Sequence, residues 1–190
     1  DAEDGEAMRQ QINAEFEKLY KIIPEHIVGF ENATMQELVH KILIERGLTL
    51  STAESCTGGT IASRFTAMAG ASAYFLGGVV AYANEAKRDI LGVSYDDIAR
   101  YGAVSEQVVR QMAEGARRVT GADYAIATSG IAGPAGGSAE KPVGTVWIAV
   151  ATPTQTIATL RNCGTDRGQI INRASAYAIE MLYNQLKHNN

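Results

Sequence analysis

The stretch LTLSTAESCTGGTIASRFTAM, Leu48 to Met68, passes from a strand-like run (Leu48 to Ala53) through a small polar turn into a helix-like run (Gly58 to Met68). A strand that hands over to a helix through glycines is the unit of a layered α/β domain. Working outward, the alternation continues. AYFLGGVVAYA, Ala73 to Ala83, reads as an apolar strand weakened by Gly77 and Gly78, and Asn84 opens a short helix through Leu91. Ser94 and Asp97 stand at capping-box spacing, and Ser105 caps a helix whose apolar face is Val108, Val109, Met112, Ala116 and Val119. ADYAIATS, Ala122 to Ser129, is a buried strand, VGTVWIAVAT and QTIATLRN form a hairpin around Pro153, and Thr165 to Leu186 is a long closing helix. The sequence therefore predicts an α/β layered domain with a mixed sheet.

Upstream, Glu6 to Ile23 reads as an amphipathic helix with Met8, Ile12, Phe16, Leu19 and Ile23 on one stripe. Ile23 to Ala33 reads as a linker, and Thr34 with Glu37 has the spacing of a capping box opening a helix that ends near Gly47. The apolar stripe of the first helix needs a cover, so a homo-oligomer is expected.

Composition narrows the function classes. The chain has 190 residues, 46% of them hydrophobic and 20% charged, which suits a globular domain. A net charge of −4 argues against a general nucleic-acid binder, while leaving room for a local basic pocket. No apolar run reaches the length of a membrane span, about 18 residues or more. Cys56 and Cys163 are too few for a disulfide framework, which makes a reducing cytoplasm the expected setting. His26, His40 and His188 are scattered without metal-ligand spacing, so no metal and no cofactor are expected. The acidic N-terminus DAEDGEAMRQQ reads as neither a signal peptide nor a natural start, so the chain is expected to be a piece of a longer one.

In open α/β sheets, ligands sit at the strand ends that lead into helices. That points to three exits. The first, ESCTGG (Glu54 to Gly59), offers Ser55, Cys56 and Thr57 before two glycines. Its layout resembles a nucleophile elbow without matching G-x-S-x-G. Spacing leaves Ser55 and Thr57 balanced between nucleophile and helix cap. Cys56 has no histidine in any exit to activate it and reads as a bystander. The second exit, Tyr82 to Lys87, holds two groups capable of proton transfer. With Asn84 as cap, Lys87 falls in the first helical turn, where the helix dipole would lower its pKa. By position alone, Lys87 reads more readily as an ordinary surface lysine, and Tyr82 can be a core aromatic with its hydroxyl satisfied. The third exit, TSGIAGPAGGSAEKP (Thr128 to Pro142), is glycine-dense and too irregular for a Walker A loop. Its amides, with Lys141, could cradle an anion. Arg167, at the start of the closing helix, could hold a phosphate or serve the fold.

Four motifs in order, TAESCTGG, GGVVAYANEAKRDILGV, GAVSEQVVRQMAEGA and ATSGIAGPAGGSAEKPVGTVWIAVA, resemble the CinA C-terminal family, the nicotinamide-nucleotide amidases of PncC type. The resemblance runs from Thr34 to Leu186. It implies a three-layer α/β/α sandwich and hydrolysis of the carboxamide of nicotinamide mononucleotide to the nicotinate nucleotide and ammonia. It further implies a serine nucleophile assisted by a tyrosine and a lysine, which fall on Ser55, Tyr82 and Lys87. The oxyanion would then rest on backbone amides at Cys56, Thr57 and Gly58 or at Ser129, Gly130 and Ile131. The phosphate falls to the loop holding Gly136, Gly137 and Lys141, or to Arg167. The second reading is a nucleotide-binding regulatory module without catalysis. Glu15 to Val39 resembles the region just before the amidase domain in longer CinA proteins, which implies a covalently linked N-terminal domain. Partners are expected to be the small nucleotide substrate, with no nucleic acid and no membrane.

Overall fold

The computed structural model describes residues 2–22 and 33–188. The chain divides into two compact units, Asp1–Met35 and Gln36–Asn190. The first contains α1 (Ala2–Ile22), on which Met8, Ile12, Phe16 and Leu19 are exposed. Most of the linker expected over 23–33 lies outside the described residues. The second unit takes all but the first residue of α2 (Met35–Arg46) and continues through β1 (Leu50–Glu54), α3 (Thr60–Thr66), β2 (Phe75–Val80), α4 (Asn84–Asp89), α5 (Tyr95–Tyr101), α6 (Glu106–Thr120), β3 (Tyr124–Gly130), β4 (Thr145–Ala151), β5 (Thr156–Asn162) and α7 (Arg167–His188).

The five strands form one mixed sheet in the order β2-β1-β3-β4-β5. β1 lies between β2 and β3 and is parallel to both, while the β4–β5 hairpin adds two antiparallel strands. Strand alternation gives the sheet two unlike faces. Ala53, Ala125, Ala127, Ala149 and Ala151 share one face, and α6 packs on it through Val108, Val109, Met112 and Ala116. Methyl-sized side chains on the sheet let the helix backbone come close. The opposite face carries Leu50, Ile126 and Ile148, all fully buried, under α3 and α7. Five of the buried residues of α7, Ile170, Ala174, Ala178, Leu182 and Leu186, repeat every four along one stripe, with Ser175, Ile179 and Tyr183 buried beside them. The result is the three-layer α/β/α sandwich with a mixed sheet. No helix among the described residues is long and apolar enough to cross a membrane.

Helix starts follow local chemistry. The Ser94 hydroxyl accepts from the Asp97 amide, and that of Ser105 from the Val108 amide, as the spacing predicts. Val119 departs from the expected apolar face: it is 49% exposed, because in the last turn it is Thr120 that turns to the sheet, near Gly77 of β2. Gly115 allows α6 to meet the loop after α4, since a Cβ there would lie 2.1 Å from the Leu91 carbonyl oxygen. Gly115→Ala is therefore expected to cost about 1–3 kcal/mol, read as a lowered urea midpoint. An unchanged midpoint would mean the helix shifts freely on its alanine floor.

Topology also gathers the candidate residues. β1, β2 and β3 are parallel, so their C-terminal ends share one edge of the sheet. β4 begins and β5 ends at that edge, where Thr145 pairs with Asn162. All three strand exits, and the start of α7, thus meet at one place.

Candidate active site

Ser55 follows directly on β1, and its backbone is held on both sides. Its amide donates to the Thr128 carbonyl (3.0 Å), and its carbonyl accepts from the Gly58 amide (3.1 Å). The side chain is half-buried and faces Lys87 from the second exit. The Lys87 amine lies 3.2 Å from Ser55 Oγ, 2.8 Å from the Ala81 carbonyl oxygen and 3.3 Å from that of Tyr82. Lys87 is 1% exposed. Burial, which disfavours the charged amine, moves its pKa below the ordinary lysine value, with Cys56 and Glu85 opposing. The direction matches the sequence-based expectation; the cause does not. Ala83, not Asn84, is the N-cap of α4, without a side-chain cap, and desolvation rather than the helix dipole lowers the pKa.

Donor counting sets the roles of these contacts. A neutral amine has two N–H groups and one lone pair. Charged, the amine donates to all three oxygens; neutral, with its two N–H groups on Ala81 and Tyr82, its lone pair faces the Ser55 hydroxyl. Lys87 therefore reaches Ser55 without an intermediary. Tyr82 contacts Lys87 through its carbonyl; its ring is 63% exposed, and its hydroxyl accepts from Arg167 (3.2 Å).

Arg167, the first residue of α7, also donates to the Gly133 carbonyl (2.7 Å) and so joins the second and third exits. Lys141 is differently engaged. Its amine donates to the carbonyls of Tyr101 (2.7 Å) and Val104 (2.8 Å), pinning the loop to the α5–α6 junction. Gly136 and Gly137 are exposed in the same loop, near Ile131 and Val143 respectively. The Ser129 hydroxyl donates to the Ala103 carbonyl (2.7 Å), and the Ile131 amide to Thr145 (2.9 Å). A Cβ on Gly130 would lie 2.8 Å from the Thr145 carbonyl oxygen, so only glycine fits where β3 and β4 close.

Neither Ser55 nor Thr57 is the N-cap of α3. Gly59 holds that position with φ 96°, and the acceptor is the carboxylate of Glu54, the last residue of β1. Glu54 was not singled out from sequence. The available signal was an acidic residue closing a strand just before a glycine turn. Cys56 is buried, and its thiol is pushed up to about 12, mainly by that burial, so it stays protonated at neutral pH.

A buried lysine in direct contact with a serine, at the meeting of three parallel strand exits, agrees with the motifs that named the family. Residues 32–186 match the CinA C-terminal domain. This chain belongs to the CinA C-terminal domain family. The domain is 50% identical over 156 residues to the nicotinamide-nucleotide amidohydrolase PncC of Escherichia coli, covering 82% of this chain and 94% of that protein. A CinA-like protein of Flavobacterium psychrophilum is 43% identical over 187 residues, which is 98% of this chain and 45% of that protein. The chain thus spans less than half the length of the CinA-like relatives. The crystal structure of the competence damage-inducible protein A of Klebsiella pneumoniae matches with a TM-score of 0.79 at 40% identity, over 83% of this chain and all of that one.

Proposed function

We propose that this CinA domain is a serine–lysine amidohydrolase that converts nicotinamide mononucleotide to nicotinate mononucleotide and ammonia. The observation that carries the reading is the 3.2 Å contact between the buried Lys87 amine and Ser55 Oγ. The identity to the Escherichia coli amidohydrolase supports the substrate.

In this mechanism Ser55 Oγ attacks the carboxamide carbon, and its proton passes to the lone pair of Lys87. The carbonyl oxygen becomes an oxyanion. Gly58 and Ile131 amides are already committed to backbone carbonyls. The Ile131 bond to Thr145 also sets the alternation of β3, which turns the Gly130 amide toward the residues after β1. The amides of Cys56, Thr57 and Gly130 are therefore assigned to the oxyanion. When the tetrahedral centre collapses, the C–N bond breaks and Lys87 returns its proton to the leaving nitrogen, giving ammonia and an ester on Ser55. Water then attacks the ester, giving one proton to Lys87, which returns it to Ser55 Oγ as the ester bond breaks; the nicotinate product leaves as its acid and gives its remaining proton to solvent.

Arg167 takes the 5′-phosphate. Its guanidinium stands exposed between Tyr82 and Gly133 and keeps three N–H groups beyond those two bonds, whereas the half-buried Lys141 amine is turned to two carbonyls of the α5–α6 junction and keeps one. Tyr82 then orients Arg167 and is not a proton relay.

The test is ammonia release from nicotinamide mononucleotide against nicotinamide riboside. Turnover of the nucleotide with a much weaker rate on the riboside is expected. Arg167→Ala should raise KM for the nucleotide about 10- to 100-fold, the worth of a charged hydrogen bond, and leave the riboside rate unchanged. Equal losses on both substrates would move the phosphate elsewhere. Binding of the nucleotide without turnover would make the domain a sensor rather than an enzyme.

A further inference from the structure

Among the described residues, Glu54 is the only buried carboxylate, 1% exposed, and no lysine or arginine pairs with it. Its partners are all donors on the segment that follows it. Oε2 accepts from the Thr57 hydroxyl (2.7 Å) and from the amides of Gly59 (3.0 Å) and Ile61 (3.0 Å), and Oε1 accepts from the Ala62 amide (2.8 Å). Thr57 has one hydroxyl proton, and Glu54 takes it. The 2.7 Å contact between Thr57 Oγ1 and Thr128 Oγ1 must therefore run the other way, with Thr128 donating. Thr128 is also the residue whose carbonyl receives the Ser55 amide. Thr57, two residues after the nucleophile, and Thr128, which holds the nucleophile's amide, are thus fastened to one carboxylate, directly or through one hydroxyl.

We propose that Glu54 is a positioning residue for Ser55. Its carboxylate holds the 55–59 turn in the shape that aims the Ser55 hydroxyl at Lys87 and the Cys56 and Thr57 amides at the oxyanion. The inference rests on the amidase reading. It also has a consequence for the ligand: the first amides of α3 are filled by the protein's own anion, so the substrate phosphate is excluded from them. A strand-to-turn nucleophile needs its turn fixed in this way, because the turn carries two glycines, Gly58 and Gly59, both at positive φ, and would otherwise sample many shapes.

Glutamine at this position keeps the size but offers one acceptor oxygen and an NH2 group to four donors. Glu54→Gln is expected to lower kcat about 100-fold, the scale of a misplaced oxyanion donor, with KM for nicotinamide mononucleotide within about twofold. Thr57→Val removes one link and is expected to lower kcat about tenfold, while Thr57→Ser restores it. The rising limb of the pH–rate profile should stay where the wild type has it in Thr57→Val, because the burial that lowers the Lys87 pKa does not depend on Thr57. Thermal melts establish folding, and if Glu54→Gln does not fold, Thr57→Val and Thr57→Ser decide. Wild-type kcat in the folded variants, a loss confined to KM, or a shifted pH limb would each overturn the proposal.

A fluorophosphonate probe separates this proposal from the substrate reading. Labelling of Ser55, located by mass spectrometry, is expected to slow in the same order as kcat. If nicotinamide mononucleotide is not turned over but labelling still depends on Glu54 and Thr57, the positioning role stands and the substrate falls. Equal labelling in all variants overturns the positioning role, and no labelling of the wild type overturns the nucleophile together with it.

Discussion

Ser55→Ala is expected to lower kcat by about 10,000-fold or more, with the fold and nucleotide binding retained. The backbone of Ser55 is fixed by bonds that the side chain does not make: its amide to Thr128 and its carbonyl from Gly58. Alanine fits the half-buried site, so the urea midpoint should move little. Calorimetry with nicotinamide mononucleotide should still show binding, because the phosphate contact proposed for Arg167 is untouched. The same experiment tests the rival nucleophile one residue on. Cys56 is buried, and its thiol is held protonated up to about pH 12. A thiol in that state is a poor nucleophile, so iodoacetamide at neutral pH should leave the wild-type rate unchanged. A Ser55→Ala enzyme that kept its rate and lost it to iodoacetamide would transfer the chemistry to Cys56.

Much of this site could be read from the chain because its parts lie at strand exits, and the alternation of strands and helices is a local signal. Ser94 and Ser105 were readable as caps for the same reason: donor and acceptor are three residues apart. The contact between Lys87 and Ser55 is of another kind. It joins residues 32 apart, and it exists because β1 and β2 pair in parallel, which no spacing encodes. By spacing alone Lys87 therefore reads as an ordinary surface lysine, and only the family resemblance singles it out. Glu54 went unread because its partners lie three, five, seven and eight residues ahead, a pattern set by the turn's shape rather than by a helical or strand period. Tyr82 was placed correctly at the second exit, but its ring turns outward to Arg167, a partner 85 residues away. Val119 shows the limit of periodicity: its spacing continues the apolar stripe, yet it is Thr120 that meets the sheet, near Gly77.

Lys87→Met is expected to lower kcat/KM about 1,000-fold, within the range of a lost general base, and to erase one limb of the pH profile. Lys87 can accept the Ser55 proton only when its amine is neutral. Activity should therefore rise with pH as the amine deprotonates, with a midpoint below the ordinary lysine value of about 10.4, because burial lowers it. Stability carries the same sign. Between the lowered folded value and the unfolded one, the unfolded chain binds the extra proton, so stability increases as pH rises through that window. Below the folded value, the cost of burying the charge is present in full. Urea unfolding over a pH series should show this rise in the wild type and a flatter line in Lys87→Met. Lys87→Arg separates base from mere charge, since a guanidinium keeps the charge and cannot give up its proton. It should be as inactive as the methionine variant. An arginine variant with substantial turnover, or a pH limb that survives in Lys87→Met, would show that the proton of Ser55 goes to another group.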